Sequence, residues 1–307
     1  MTQRPSDPWA PDIEIDARLA GSLVGAQFPQ LGDVRIEPVG EGWDNAAYLV
    51  NDAFIFRFPR RSATAKLITR ESRFLPQIAP QLPLPIPVPE FAGAASEAYP
   101  WPFAGYRRLD GRELSSLRPG EDAYGKLAAS TGAFLRGLHS IDVAPLAAAG
   151  LPGDEIGRLD DARMFPKLQM RLDELRQAAI VRDADPILAV VERLRPIAPP
   201  TMKTVVHGDL YARHVLVDER MGAAGVIDWG DLHLGDPAVD LMIAFSLIPT
   251  QARAQFFSAY GSATEATLSA ARYRAIYHSA MVAHYGHRIA DADLLHIGMR
   301  GLSLALS

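Results

Sequence analysis

The chain has 307 residues, 48% of them hydrophobic, and a formal net charge of −5. That length and apolar content suit one large or two modest domains with a full core, and the mild acidity argues against nucleic acid as the main partner, which would want a basic face. There is no cysteine, so disulfides, thiolate–zinc sites and a cysteine nucleophile are excluded. Met1 to Asp16 lacks the apolar core of a signal peptide, and no apolar run reaches the roughly 18 residues a membrane span needs. The cytoplasm is the expected compartment, with no membrane partner.

In chain order, Ile13, Leu19, Leu23 and Val24 recur at helical spacing and predict a short helix before Pro29. Strand-like runs follow at 34–39, 46–50 and 54–58, separated by turns at Gly40-Glu41-Gly42 and Asn51-Asp52. A helix is expected over 64–75. Pro76 to Pro89 carries six prolines, which predicts an extended connector rather than a helix, leading to a strand near 88–91. A further strand over 103–109 ends at the turn Asp110-Gly111. Helices are predicted over 121–140 and 161–179. Val205-Val206 then leads into a loop bearing Asp209. The strand Val215-Leu216-Val217, a turn around Gly222 to Gly225 and a second strand, Val226-Ile227, form a hairpin that carries Asp228. Helices over 238–247, 252–260 and 269–286 complete the chain. The hairpin would bring His214 beside Asp228, with Asp209 facing them.

That trio has a chemical meaning. Phosphoryl transfer needs little covalent help from a protein; it needs a carboxylate at the attacking hydroxyl and ligands for Mg²⁺ on the phosphates. His207-Gly208-Asp209-Leu210, Ile227-Asp228-Trp229-Gly230 and Asp236-Pro237-Ala238-Val239-Asp240-Leu241 together resemble the catalytic core of the aminoglycoside phosphotransferase family, antibiotic kinases related in fold to protein kinases. The resemblance implies an α+β, two-lobed protein-kinase-like fold, with a small antiparallel-sheet N-lobe over 1–110 and a larger helical C-lobe over 111–307. It implies Asp209 as the catalytic base, and Asp228 with His214 as the Mg²⁺ ligands. The family usually has Asn at the position of His214; His is found in its macrolide-phosphorylating branch.

The resemblance continues upstream. Gly40, Gly42 and Asn45 fall in what looks like the phosphate-covering loop. Arg57 stands where these kinases carry a phosphate-binding Lys; it keeps the charge and can contact phosphate in bidentate fashion. Glu71 takes the place of its ion-pair partner. Tyr106, Arg107 and Leu109 lie in the segment that resembles the base-binding hinge. Asp231 is the expected substrate carboxylate, while His278, His284 and His287 are expected as a polar wall of the acceptor cleft.

The implied activity moves the γ-phosphate of ATP or GTP to a hydroxyl of a small molecule, by class an aminoglycoside-type cationic antibiotic. A macrolide 2′-phosphotransferase and a metabolic kinase for a sugar or small alcohol are the alternatives, since fold membership does not fix the acceptor. A catalytically weak nucleotide-binding pseudokinase is the reading from a different class, motivated by His214 and Arg57. A monomer or weak dimer is expected.

Overall fold

The structure, a computed structural model, describes residues 11–41, 44–117, 119–120, 123–197 and 203–307. Its contacts divide the chain into two compact units, one of residues up to 80 with 86–109, the other of 81–85 with 110–307.

The first unit holds α1 (Ala17–Gln27), β1 (Ile36–Glu41), β2 (Asn45–Val50), β3 (Phe54–Pro59), α2 (Ser62–Ile78), β4 (Pro89–Gly93) and β5 (Phe103–Arg107). The five strands form one antiparallel sheet in the order β1-β2-β3-β5-β4. Alternation drives this arrangement: Tyr48, Phe56, Phe58 and Phe103 are buried and pack with Phe28, at the end of α1, and Phe91. Phe58 and Phe103 stack at 4.6 Å. Gly93 and Gly105 make room for these rings, since a Cβ on either would fall within 2.6 Å of a Phe103 or Phe56 ring atom. The helix α2 runs past Pro76 to Ile78, further than its prolines suggest. Pro76 lies in the last turn, where the loss of one backbone hydrogen bond is tolerated more readily than in mid-helix.

The second unit contains β6 (Arg112–Glu113), α3 (Tyr124–His139), α4 (Val143–Ala148), α5 (Asp161–Gln177), α6 (Asp185–Leu194), β7 (Thr204–Val206), β8 (Val215–Val217), β9 (Ala223–Val226), β10 (His233–Gly235), α7 (Ala238–Leu241), α8 (Ile243–Ser246), α9 (Arg253–Tyr260), α10 (Glu265–Arg288) and α11 (Ala292–Leu306). An antiparallel sheet orders β6-β8-β9, and β7 pairs with β10. The β8–β9 turn lies at Asp218–Gly222, earlier than the glycines suggest. Asp218 sets it, its Oδ1 accepting from the Arg220 and Gly222 amides at 2.8 Å each. This α+β arrangement, a sheet unit followed by a helical unit, is the fold class expected from the sequence.

The helix α10 is buried on most of its circumference, including Tyr273, Arg274, Tyr277 and His278. Its packing on α11 is unusually close because small residues meet: a Cβ on Gly298 would fall 2.3 Å from the Ala283 amide nitrogen. Replacing Gly298 with Ala should therefore lower stability by about 1–3 kcal/mol through overpacking. Gly125 lies inside α3, and a methyl group there would meet nothing within 4 Å. It gives the opposite sign: Gly125→Ala should stabilise by about 0.5–1 kcal/mol. Thermal unfolding of the two variants checks both directions.

Candidate active site

The site in the second unit is built on one buried carboxylate. Asp240, fully buried in α7, accepts from the His207 amide at 2.8 Å, the Gly208 amide at 2.9 Å and His139 Nε2 at 3.2 Å. These bonds fix the loop that leaves β7. Gly208 takes φ +91°, and a Cβ there would fall 2.4 Å from the Asp231 carbonyl oxygen, so only glycine fits. His207 is buried, donates from Nε2 to the Ile227 carbonyl at 2.9 Å and accepts the Asp209 amide on Nδ1 at 3.3 Å. Burial holds it below the ordinary imidazole value, which agrees with this neutral tautomer. Trp229, also buried, packs on His207 at 4.8 Å.

The loop presents the half-buried Asp209 to two imidazoles. His278 Nε2 on α10 donates to Asp209 Oδ1 at 2.8 Å. His214 Nδ1 donates to the Asp209 carbonyl at 2.7 Å, and its Nε2 lies 3.3 Å from Asp228 Oδ2. Tyr211 sits against both rings, at 4.5 Å from His214 and 5.1 Å from His278. Burial works against ionisation of Asp209, but the His278 hydrogen bond and the charges around it prevail and hold the carboxyl well below its usual range. Burial likewise pulls His214 down, yet the hydrogen bond and charge of Asp228, with the charge of Asp209, push it up to about 9. Burial keeps His278 below the ordinary imidazole value. Asp228 lies two residues past the end of β9 and adopts φ +64°, unusual for a side-chain-bearing residue.

Three residues of the first unit form a second constellation. Arg57 Nη1 on β3 meets both Glu71 oxygens at 3.0 Å, and the Tyr106 hydroxyl donates to Glu71 Oε2 at 2.8 Å. Glu71 is fully buried, so these donors supply the compensation a buried carboxylate requires. The Tyr106 side chain is thus engaged with Glu71, which leaves only its backbone for a base contact. Arg107 lies on the surface, paired with Glu90 at 2.9 and 3.1 Å. Leu109 is half-buried at the end of this unit. Gly40 lies in β1 beyond an irregularity at Pro38 and pairs with Ala47, whereas Gly42 is outside the described residues. Asn45 is buried, and its Oδ1 has no hydrogen-bond partner among the described residues.

Asp231, expected to meet the acceptor, is half-exposed and ion-paired through Oδ1 with Arg158. Arg158 is buried, donates to the Gly208 carbonyl at 3.0 Å and pairs with Asp154 at 2.7 Å. Of the expected histidine wall, His278 touches Asp209 and His284 pairs with Glu174. The residues missed by sequence reasoning are Arg158, Arg274 and the role of His278. Arg158 precedes Asp231 by 73 positions and His278 follows Asp209 by 69, separations that leave no local pattern. The Asp-Pro-x-x-Asp-Leu motif did point to Asp240.

A carboxylate buried in α7, an acid on the loop it anchors and a second acid past a hairpin form the arrangement expected of a protein-kinase-like phosphotransferase. Residues 35–276 match the phosphotransferase enzyme family, APH, and the chain belongs to that family. Among solved structures, the GDP and kanamycin complex of APH(2")-IIia is 24% identical with a TM-score of 0.68, covering 93% of this chain and 97% of that one. Macrolide 2'-phosphotransferase type I is 20% identical with a TM-score of 0.62, covering 93% and 97%. A curated relative, the uncharacterized protein YcbJ of Bacillus subtilis (strain 168), is 28% identical over 64 residues, a match that spans 21% of this chain and 21% of that relative's length.

Asp240 makes the loop sensitive to acid. Burial raises its carboxyl, but the His139 hydrogen bond, the charges of His139 and His207 and the Gly208 amide together hold it below the usual range. A depressed folded pKa stabilises above the unfolded value of about 4 and that contribution is lost as pH falls through the folded one. Asp240→Asn should therefore unfold less steeply with falling pH below about 4 than the wild type. Asp240→Ala should lose about 3–5 kcal/mol at neutral pH. Urea unfolding at a series of pH values reads both.

Proposed function

We propose that the protein transfers the γ-phosphate of a nucleoside triphosphate, ATP or GTP, to a hydroxyl of a small molecule, with Asp209 as the base. The observation that carries this reading is the state of Asp209. It is held ionised, with Oδ1 engaged by His278, on a loop fixed from beneath by Asp240. The carboxylate accepts a hydrogen bond from the acceptor hydroxyl, aligns it with the phosphorus and takes its proton late. A low pKa is compatible with a loose transition state in which the proton leaves after most P–O bond breaking. Arg57, oriented by Glu71, is read as the phosphate clamp of the nucleotide.

The donor set suits Mg²⁺ through Asp228, a hard oxygen ligand in the half-exposed setting that this ion prefers, completed by phosphate oxygens and water. Among the described residues no three His, Asp or Glu side chains converge as a ready metal cage, which accords with an ion that arrives on the nucleotide. When bound, Mg²⁺ neutralises phosphate charge. Both His214 nitrogens face acceptors, so in this state it offers protons rather than a lone pair. We read it as a cationic brace that holds Asp228 and the Asp209 backbone in register, in preference to a metal ligand.

The fold likeness supports an aminoglycoside or macrolide as acceptor. A polycationic acceptor wants uncommitted carboxylates, and Asp231 and Asp154 are both paired with Arg158. The acceptor is therefore kept at the level of a small-molecule alcohol. Asp209→Asn should lower turnover by roughly 10²–10⁴-fold while leaving the nucleotide Kd within about twofold, a change of ~0.4 kcal/mol. Diphosphate release, followed by coupled assay with both nucleotides, and calorimetric nucleotide binding check this. Unchanged turnover in the variant sinks the assignment of the base.

A further inference from the structure

The helix α10 presents His278 to the base, and one turn earlier on the same face stands Arg274. Arg274 is only 4% exposed. Its Nε is buried with no hydrogen-bond partner among the described residues, and the same is true of Arg171 Nη1 on α5. The two guanidiniums share one ring: Arg171 lies 5.0 Å and Arg274 5.4 Å from the centre of Tyr277. A buried cation ordinarily carries a carboxylate or carbonyl on each donor, because an unpaired one is costly to desolvate. The neighbouring acids do not fill this role. Asp154 and Asp231 are taken by Arg158, Glu174 by His284, and Asp209 Oδ1 by His278. Burial and the like charge of Arg158 both weigh on Arg274, against the pull of Asp209. Two guanidiniums, each with a donor lacking a partner among the described residues, suit an oxyanion, since a guanidinium fork matches carboxylate and phosphate geometry.

We propose that Arg274, with Arg171 beside it, recognises an anionic group carried by the acceptor, a carboxylate or phosphate monoester on the alcohol that Asp209 activates. The inference rests on the phosphotransferase reading and narrows its acceptor. It makes the acceptor a hydroxy acid or phosphorylated alcohol rather than a cationic antibiotic. The transferred phosphoryl group of the nucleotide offers the same oxyanion chemistry and is the competing source.

The test uses three matched six-carbon polyols: gluconate, which is anionic, sorbitol, which is neutral, and glucamine, which is cationic. Each is titrated calorimetrically into the full chain saturated with ADP and Mg²⁺. The wild type should bind gluconate at least about tenfold more tightly than sorbitol or glucamine, the scale of one charge-assisted hydrogen-bond pair. Arg274→Met should shrink that preference to within about twofold, and Arg274→Lys should retain part of it. If Arg274→Met does not fold, Arg171→Met, at a half-buried position, carries the same expectation. Glucamine binding as tightly as gluconate, no gluconate binding to the wild type, or a preference untouched by the variants overturns the proposal. So does a selective loss, in Arg274→Met, of affinity for non-hydrolysable triphosphate over diphosphate with the gluconate preference intact, which assigns the cation to the nucleotide. Basal hydrolysis of ATP and GTP is measured separately on the same protein preparations, without ADP. Its presence in the wild type and loss in Asp209→Asn, with no anion preference, sinks this inference alone; its absence from the wild type sinks the phosphotransferase reading.

Discussion

Asp240 is the constraint on which the catalytic arrangement depends. A carboxylate with no solvent access must find a donor for each lone pair it exposes, and this one finds two consecutive amides of the catalytic loop and an imidazole. Those bonds define the loop's path before any ligand is present. They also make glycine obligatory at position 208, because the path that satisfies Asp240 brings the loop against the Asp231 carbonyl. The placement of Asp209 is a consequence. Its backbone follows from the anchored loop, and its side chain needs only one more partner, His278, to be aimed.

Around Asp209 the charges are balanced by position. His214 stands between two acids whose attraction outweighs its burial, while for His278 and His207 burial prevails over the neighbouring acids and holds both below the ordinary imidazole value. Acid groups held in place by fixed donors spend no free energy on reorganisation when charge shifts during reaction. The first unit solves an analogous problem with a different donor set. There a guanidinium and a phenol hold Glu71, and the same bonds fix the orientation of the Arg57 cation.

The legible parts of the sequence are those whose meaning is local. His207-Gly208-Asp209 and Asp236 to Asp240 each carry their function within a few residues, and alternation in Phe54 to Phe58 announces β3. Where a distant partner decides, the sequence misleads or falls silent. Nothing near Asp231 in the sequence announces its ion pair with Arg158, 73 positions earlier. Arg274 sits in a segment that reads only as a helix, and its burial in the fold reveals a cation whose Nε lacks a hydrogen-bond partner among the described residues. The β8–β9 turn is displaced because the Asp218 side chain, rather than the glycines, closes it. Pro76 reads as a helix breaker, although in a last turn it costs a single hydrogen bond.

In the proposed reaction a γ-phosphoryl group leaves a nucleotide for an alcohol. It is tested most directly by incubating the protein and Mg²⁺ with ATP or GTP labelled with ¹⁸O in the γ-phosphate, in a small-molecule cell extract, and following the label by mass spectrometry. The expected product is a phosphate monoester bearing the label on an organic hydroxyl compound. Label recovered only in inorganic phosphate, with no labelled ester formed, would contradict it.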